Sequence, residues 1–351
     1  MVKRDFLMDQ NPGVSLVQQA AALSGSSAHI SYDLAAVLFP KSDIFFSDRM
    51  LSNGRQYLQS IVQEIETELC RIAVEDFGLS HDMIVEIGNS DRGHSFSMLQ
   101  NSGLLQGKAV LEHIFSNVQR VELKGRLSQK ASQADLESVL TRYLDHDDSQ
   151  IADAAMALLV AQSRDNAGAA AIRASITNLP AEILYALTWP ITAAVEKLSG
   201  YEGGTLKTAA EKLLGRHDEG ATIQSRAQRL AQLVDANPGD ENQMHPLHDG
   251  LDLFLARMAQ RTGLTADQLT IFSAEPNMVR LIVAMRAIDL PMDRALSIFG
   301  LLETGGQLLT PASYNEIDYD HAVDLISDLS SNSLFQDAQQ RLNRSAAGLT
   351  D

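Results

Sequence analysis

The chain has 351 residues, 45% of them hydrophobic but only 5% aromatic, and a formal charge of −17 from 45 acidic and 28 basic side chains. That length admits a large helical array or two domains, and the acidic balance works against general binding to phosphate backbones or docking on an anionic bilayer. Cys70 is the only cysteine, which excludes an internal disulfide and a cysteine-built zinc site.

Residues 1–30 read as a loosely attached lead-in, punctuated by Asn11-Pro12-Gly13 and Ser24-Gly25-Ser26-Ser27. Lys3 and Arg4 are followed by Asp5 and Asp9 rather than an apolar run, so no signal peptide is expected. A helical-repeat domain is expected over 31–235. It opens with a short helix at 31–39 that stops at Pro40. A long helix follows at 47–77, where Leu58, Ile61, Val62, Ile65, Leu69, Ile72 and Ala73 keep steps of three and four, with Gly78 placed as its C-cap. Further helices are expected near 107–122, 132–144, 149–164 and 167–177. Asn178-Leu179-Pro180-Ala181-Glu182 marks a helix start, and Pro190 after Trp189 is expected to kink or split that helix. Helices near 205–216 and 221–235 complete the domain.

Asn237-Pro238-Gly239-Asp240 lies in the expected linker, 236–246, ahead of a C-terminal helical domain at 247–342 and a frayed tail at 343–351. Within that domain Thr265-Ala266-Asp267-Gln268 has the spacing of a capping box. Pro276, Pro291 and Pro311 are each placed to start a helix. The run Leu264–Phe272 partly echoes Leu290–Phe299, as a repeated helix pair would. The most apolar window, 278–302, is interrupted by Arg280, Arg286, Asp289, Asp293 and Arg294 and is too charged to span a bilayer. A soluble, cytoplasmic, all-α protein of HEAT-like stacked antiparallel helices is the expectation.

Several stretches carry a family resemblance. They are Leu34-Ala35-Ala36-Val37-Leu38-Phe39-Pro40, the long helix with Glu64, Glu66, Leu69 and Arg71, and Ile151-Ala152-Asp153-Ala154-Ala155-Met156. Leu179-Pro180-Ala181-Glu182 with Trp189, and Arg286-Ala287-Ile288-Asp289-Leu290, complete the set. In these the chain resembles an uncharacterised, mainly alphaproteobacterial, all-helical family with HEAT-like repeats. The resemblance implies stacked helices and carries no catalytic residue with it.

Four His-Asp dipeptides occur, at His81, His146, His217 and His248, and imidazole with carboxylate is the ligand set of helical metal-dependent phosphohydrolases. The pairs fall near element boundaries, where a histidine ending one helix and an aspartate capping the next explain them without metal. No metal or other cofactor is therefore expected, and His245, His248 and Asp249 are the alternative metal set. Gly93-His94-Ser95-Phe96-Ser97 lacks the second glycine and the preceding strand of a nucleophile elbow. The cations Arg120, Lys124, Arg126 and Lys130 are the best candidate for a phosphate site, though a solvated helix end accounts for them more simply.

The expected function is that of a non-catalytic interaction or regulatory scaffold. Its partner would be another protein with a basic or amphipathic segment, rather than nucleic acid or a membrane. The binding candidates are Asp145, Asp147 and Asp148, the Trp189 indole beside Pro190, and Arg280 and Arg286 on an apolar stripe, where Asp289 and Asp293 are the expected ion partners. A metal-dependent phosphohydrolase and a nucleic-acid-binding helical repeat are the alternatives.

Overall fold

The computed structural model describes residues 16–21, 48–79, 94–132, 139–166, 175–201, 203–237, 244–275, 277–303 and 309–330. Every regular element among them is helical. In chain order these are α1 (Asp48–Phe77), α2 (His94–Ser102), α3 (Lys108–Lys130), α4 (Thr141–Leu144), α5 (Ser149–Asn166), a 3-10 turn (Ile176–Asn178), α6 (Ala181–Ser199), α7 (Thr205–Arg216), a second 3-10 turn (Glu219–Ala221), α8 (Ile223–Asp235), α9 (Pro246–Thr262), α10 (Ala266–Ala274), α11 (Val279–Ala287), α12 (Met292–Leu302), α13 (Pro311–Asn315) and α14 (Tyr319–Ser330). No helix among the described residues is long and apolar enough to cross a membrane.

The chain divides into two compact units, neither a single stretch of sequence. One comprises residues 1–30, 122–151 and 230–351; the other comprises 31–121 and 152–229. The expected linker at 236–246 lies partly outside the described residues, and the unit that contains the C-terminal helices also takes in 122–151.

In the second unit α1 supplies Leu58, Ile61, Val62, Ile65, Leu69 and Ile72, all buried, against α6 and α7. α6 meets them with Ile183, Leu184, Leu187, Ile191 and Val195. Gly78 ends α1 at φ 69°, the left-handed C-cap geometry its sequence position suggests. Pro190 does not split α6, which runs unbroken from Ala181 to Ser199. Proline cannot donate to the carbonyl of Ala186, but that residue is exposed, so water can satisfy it. Thr188 and Thr192 add hydroxyl bonds of 2.7 Å to the carbonyls of Leu184 and Thr188 beside the site.

In the first unit the core gathers around α9–α12 and α14, with Phe254, Leu269, Leu281, Ile282, Met285, Ile298 and Ile326 buried. The capping box forms: Gln268 N donates to Thr265 Oγ1 at 3.1 Å and Thr265 N to Gln268 Oε1 at 2.8 Å. The expected helix over 132–144 is reduced among described residues to the four residues of α4. Leu140 stops it from beginning earlier, because its φ of 62° is left-handed. Likewise the end of the expected 167–177 helix falls in a 3-10 turn at Ile176–Asn178, and α3 runs past 122 to Lys130. The expected elements at 31–39 and 343–351, and Pro276, lie outside the described residues.

Candidate functional site

The most concentrated polar chemistry lies in the first unit, where α4 meets the start of α9. Pro246 opens α9 after His245, whose Nδ1 accepts the Leu247 amide at 3.3 Å. Four residues on, Gly250 leaves helical geometry at φ 70°, ψ 159°. A side chain there would need that strained backbone, and its Cβ would stand 3.1 Å from Val139 Cγ1. The break lets Leu140 donate its amide to the His248 carbonyl at 3.1 Å. Tyr143 and Arg142 are thereby brought against Asp249.

Asp249 is fully buried, and both its oxygens are engaged. Oδ1 accepts from Arg142 Nη2 at 2.6 Å and from the Tyr143 hydroxyl at 2.8 Å. Oδ2 accepts from Arg257 Nη1 at 3.2 Å and the His245 amide at 3.3 Å. Arg257, buried with no exposed surface, turns its Nε and Nη2 to Asp235 Oδ1, each at 2.9 Å. Arg261 Nη2 reaches the same oxygen at 3.0 Å. Burial works against the Arg257 charge, but Asp249, Tyr143 and Asp235 more than offset it and raise its pKa. Burial, reinforced by Asp249, raises the Tyr143 phenol far above its ordinary value, so it stays a neutral donor. With its carboxylates facing cations and its phenol protonated, the cluster offers neither a free base nor a nucleophile. Its chemistry is that of a clasp.

The other candidates fall as follows. The rings of His245 and His248 lie 5.4 Å apart, but Asp249 turns to the arginines, and His245 Nε2 stands 3.2 Å from Ser297 Oγ. Among the described residues no group of three or more His, Cys, Asp or Glu could hold a metal. His146 Nδ1 accepts the Asp148 amide at 2.9 Å, and Asp148 Oδ1 accepts the Gln150 amide at 2.9 Å, a turn that starts α5. Asp218 accepts the Gly220 amide at 3.0 Å in the same capping manner, and His81 lies outside the described residues.

Asp145, Asp147 and Asp148 are all exposed. Trp189 is half-buried and meets Tyr185 edge-on at 6.2 Å between centroids. Arg280 is buried, lies over the Phe272 ring and pairs with Glu275, not with Asp289 or Asp293. Arg286 does pair with Asp289, at 2.9 Å. Three of the four clustered cations are committed locally. Lys124 reaches Asp252 at 2.9 Å, Arg126 reaches Glu122 at 3.6 Å, and Lys130 caps the end of α12 through the carbonyls of Gly300 and Glu303.

The second unit holds a cleft of about 260 Å³ lined by apolar side chains such as Leu184 and Leu213 and by Glu68, Arg164, Arg216 and His217. Glu68 is already held by Arg71, and Arg216 by Asp76 at 3.1 Å. The cleft is smaller than the roughly 300–1,000 Å³ typical of small-molecule sites. In α1 the Cys70 thiol is pushed up to about 11 by burial and by Glu66, which makes it a poor nucleophile.

No protein-family model, curated protein or solved structure matches the chain.

Sequence reasoning missed the Asp235–Arg257–Asp249–Tyr143 clasp, because Tyr143 and Arg257 are 114 positions apart and nothing local links them. It also passed over α14, although Asp320, Asp324 and Asp328 stand at four-residue steps with Tyr319 and Val323 beside them.

Proposed function

We propose that this chain is a non-catalytic interaction module that engages a basic polypeptide. The observation that carries the reading is the division of its acidic groups by depth. The buried carboxylates Asp249 and Asp252 and the half-buried Asp235 and Glu275 each face an arginine or lysine. The exposed Asp145, Asp147, Asp148, Asp320 and Asp324 have no ion pair among the described residues. These exposed acids are displayed outward, where their charge steers and selects partners more than it stabilises the fold. The same reading takes the helices as HEAT-like, with neighbours such as α6 and α7, packed together across the short 200–204 connection, forming a repeat. The family resemblance belongs to this reading too. Neither alternative has an arrangement in its favour: Asp249 is spent on arginines, and Lys124, Arg126 and Lys130 on partners within the chain.

The test is fluorescence anisotropy with a labelled amphipathic lysine–leucine peptide and its glutamate–leucine counterpart. The lysine peptide should bind at low ionic strength and release as salt rises, while the glutamate peptide stays free. A lysine peptide that does not bind at low salt would overturn the reading.

A further inference from the structure

We infer that the outward face of α14 is the docking surface for a basic amphipathic helix, an assignment that rests on the interaction reading above. α14 turns Ala322 and Ile326 into the core, with Leu325 and Leu329 packed at its edge, mainly against α11. At the rim of that stripe Tyr319 (43% exposed) and Val323 (37%) stand one turn apart on the surface. Beside them runs a second row, Asp320 and Asp324, both exposed.

That row has a cost within the helix. Aspartates four residues apart on one face repel each other. α14 contains no lysine or arginine to relieve this, and its one histidine, His321, lies 3.3 Å from Asp318 Oδ1 before the helix. The nearby guanidinium of Arg286 sits 5.7 Å from the Tyr319 ring, is paired with Asp289 and donates to the Ile317 carbonyl at 3.1 Å. It holds Tyr319 in place rather than neutralising the aspartates.

An acidic row parallel to a narrow apolar row is complementary to a helix with lysine or arginine at four-residue spacing beside small apolar side chains. Such a partner relieves the repulsion within α14 and covers Tyr319 and Val323 in one contact.

The experiment measures the lysine–leucine peptide against the full chain and three variants, each checked for unchanged far-UV circular dichroism. Asp320→Lys with Asp324→Lys should weaken binding about tenfold at low salt, from two exposed attractions converted to repulsions. Tyr319→Ser with Val323→Ser should weaken it at low and moderate salt alike. Asp145→Lys with Asp147→Lys, the same change in charge elsewhere, should have a much smaller effect. A photoreactive lysine peptide should cross-link to residues 319–324 of the unmodified chain, which tests the face without any variant.

If the peptide binds and both charge variants weaken it equally, or cross-links fall elsewhere, the α14 assignment is overturned while the interaction reading stands. If the unmodified chain does not bind the peptide at low salt, the interaction reading falls as well.

Discussion

Arg257 and Asp249 are the clearest case of single residues whose identity the fold dictates. Both are fully buried and face each other at 3.2 Å, with Arg142 at 2.6 Å from Asp249 and Asp235 at 2.9 Å from Arg257 as further partners. Removing one charge strands its partner in the interior, which costs about 3–5 kcal/mol, whereas replacing both with apolar groups of similar size is far milder. Asp249→Leu should therefore lower unfolding stability strongly. The double variant with Arg257→Met should recover much of that loss. Urea denaturation of both single variants and the double gives the coupling directly. Additive losses would mean that Arg142, Arg261 and Asp235 carry the cluster without the central pair. None of this was legible locally: Asp249 stood out only as a neighbour of two histidines, and the sequence reading weighed it as a metal ligand.

At the scale of elements, apolar periodicity located α1, turn and cap residues located the starts of α6 and α7, and the capping box at Thr265 is present as its spacing implied. Those features are set within one or two turns of chain, so the local sequence contains their cause. The failures share a different cause. Pro190 does not split α6, where Ile183 and Leu187 before it and Ile191 and Val195 after it are all buried on one side. Around α4 the same periodicity overreached, because Leu140 takes a left-handed conformation that only its bond to His248 and its burial explain. Gly250 answers from the other side of that junction. Gly250→Ala should destabilise by about 1–3 kcal/mol, since alanine must enter the strained region and press on Val139. Thermal unfolding would register this as a clear drop in midpoint. An unchanged midpoint would mean that the break in α9 closes into regular helix without loss.

For the whole molecule the governing quantity is charge. A net −17 stores repulsion among exposed carboxylates, while the attractive pairs that involve Asp249, Asp235 and Glu275 are shielded from solvent. Salt screens the first and leaves the second largely intact, because screening acts on charges reached by solvent. Raising ionic strength from about 10 mM to about 150 mM shortens the screening length from about 30 Å to about 8 Å. The folded state, which crowds the acids together, gains relative to the expanded chain. The melting temperature should therefore rise with sodium chloride, by about 2–4 °C for each kcal/mol of repulsion relieved. The same addition of salt should release the basic peptide, so stability and binding respond with opposite sign to one variable. A melting temperature that falls with salt would show that exposed pairs such as Arg71 with Glu68 and Glu75 outweigh the repulsion. The acidic surface would then already be balanced within the chain, with little charge left to offer a partner.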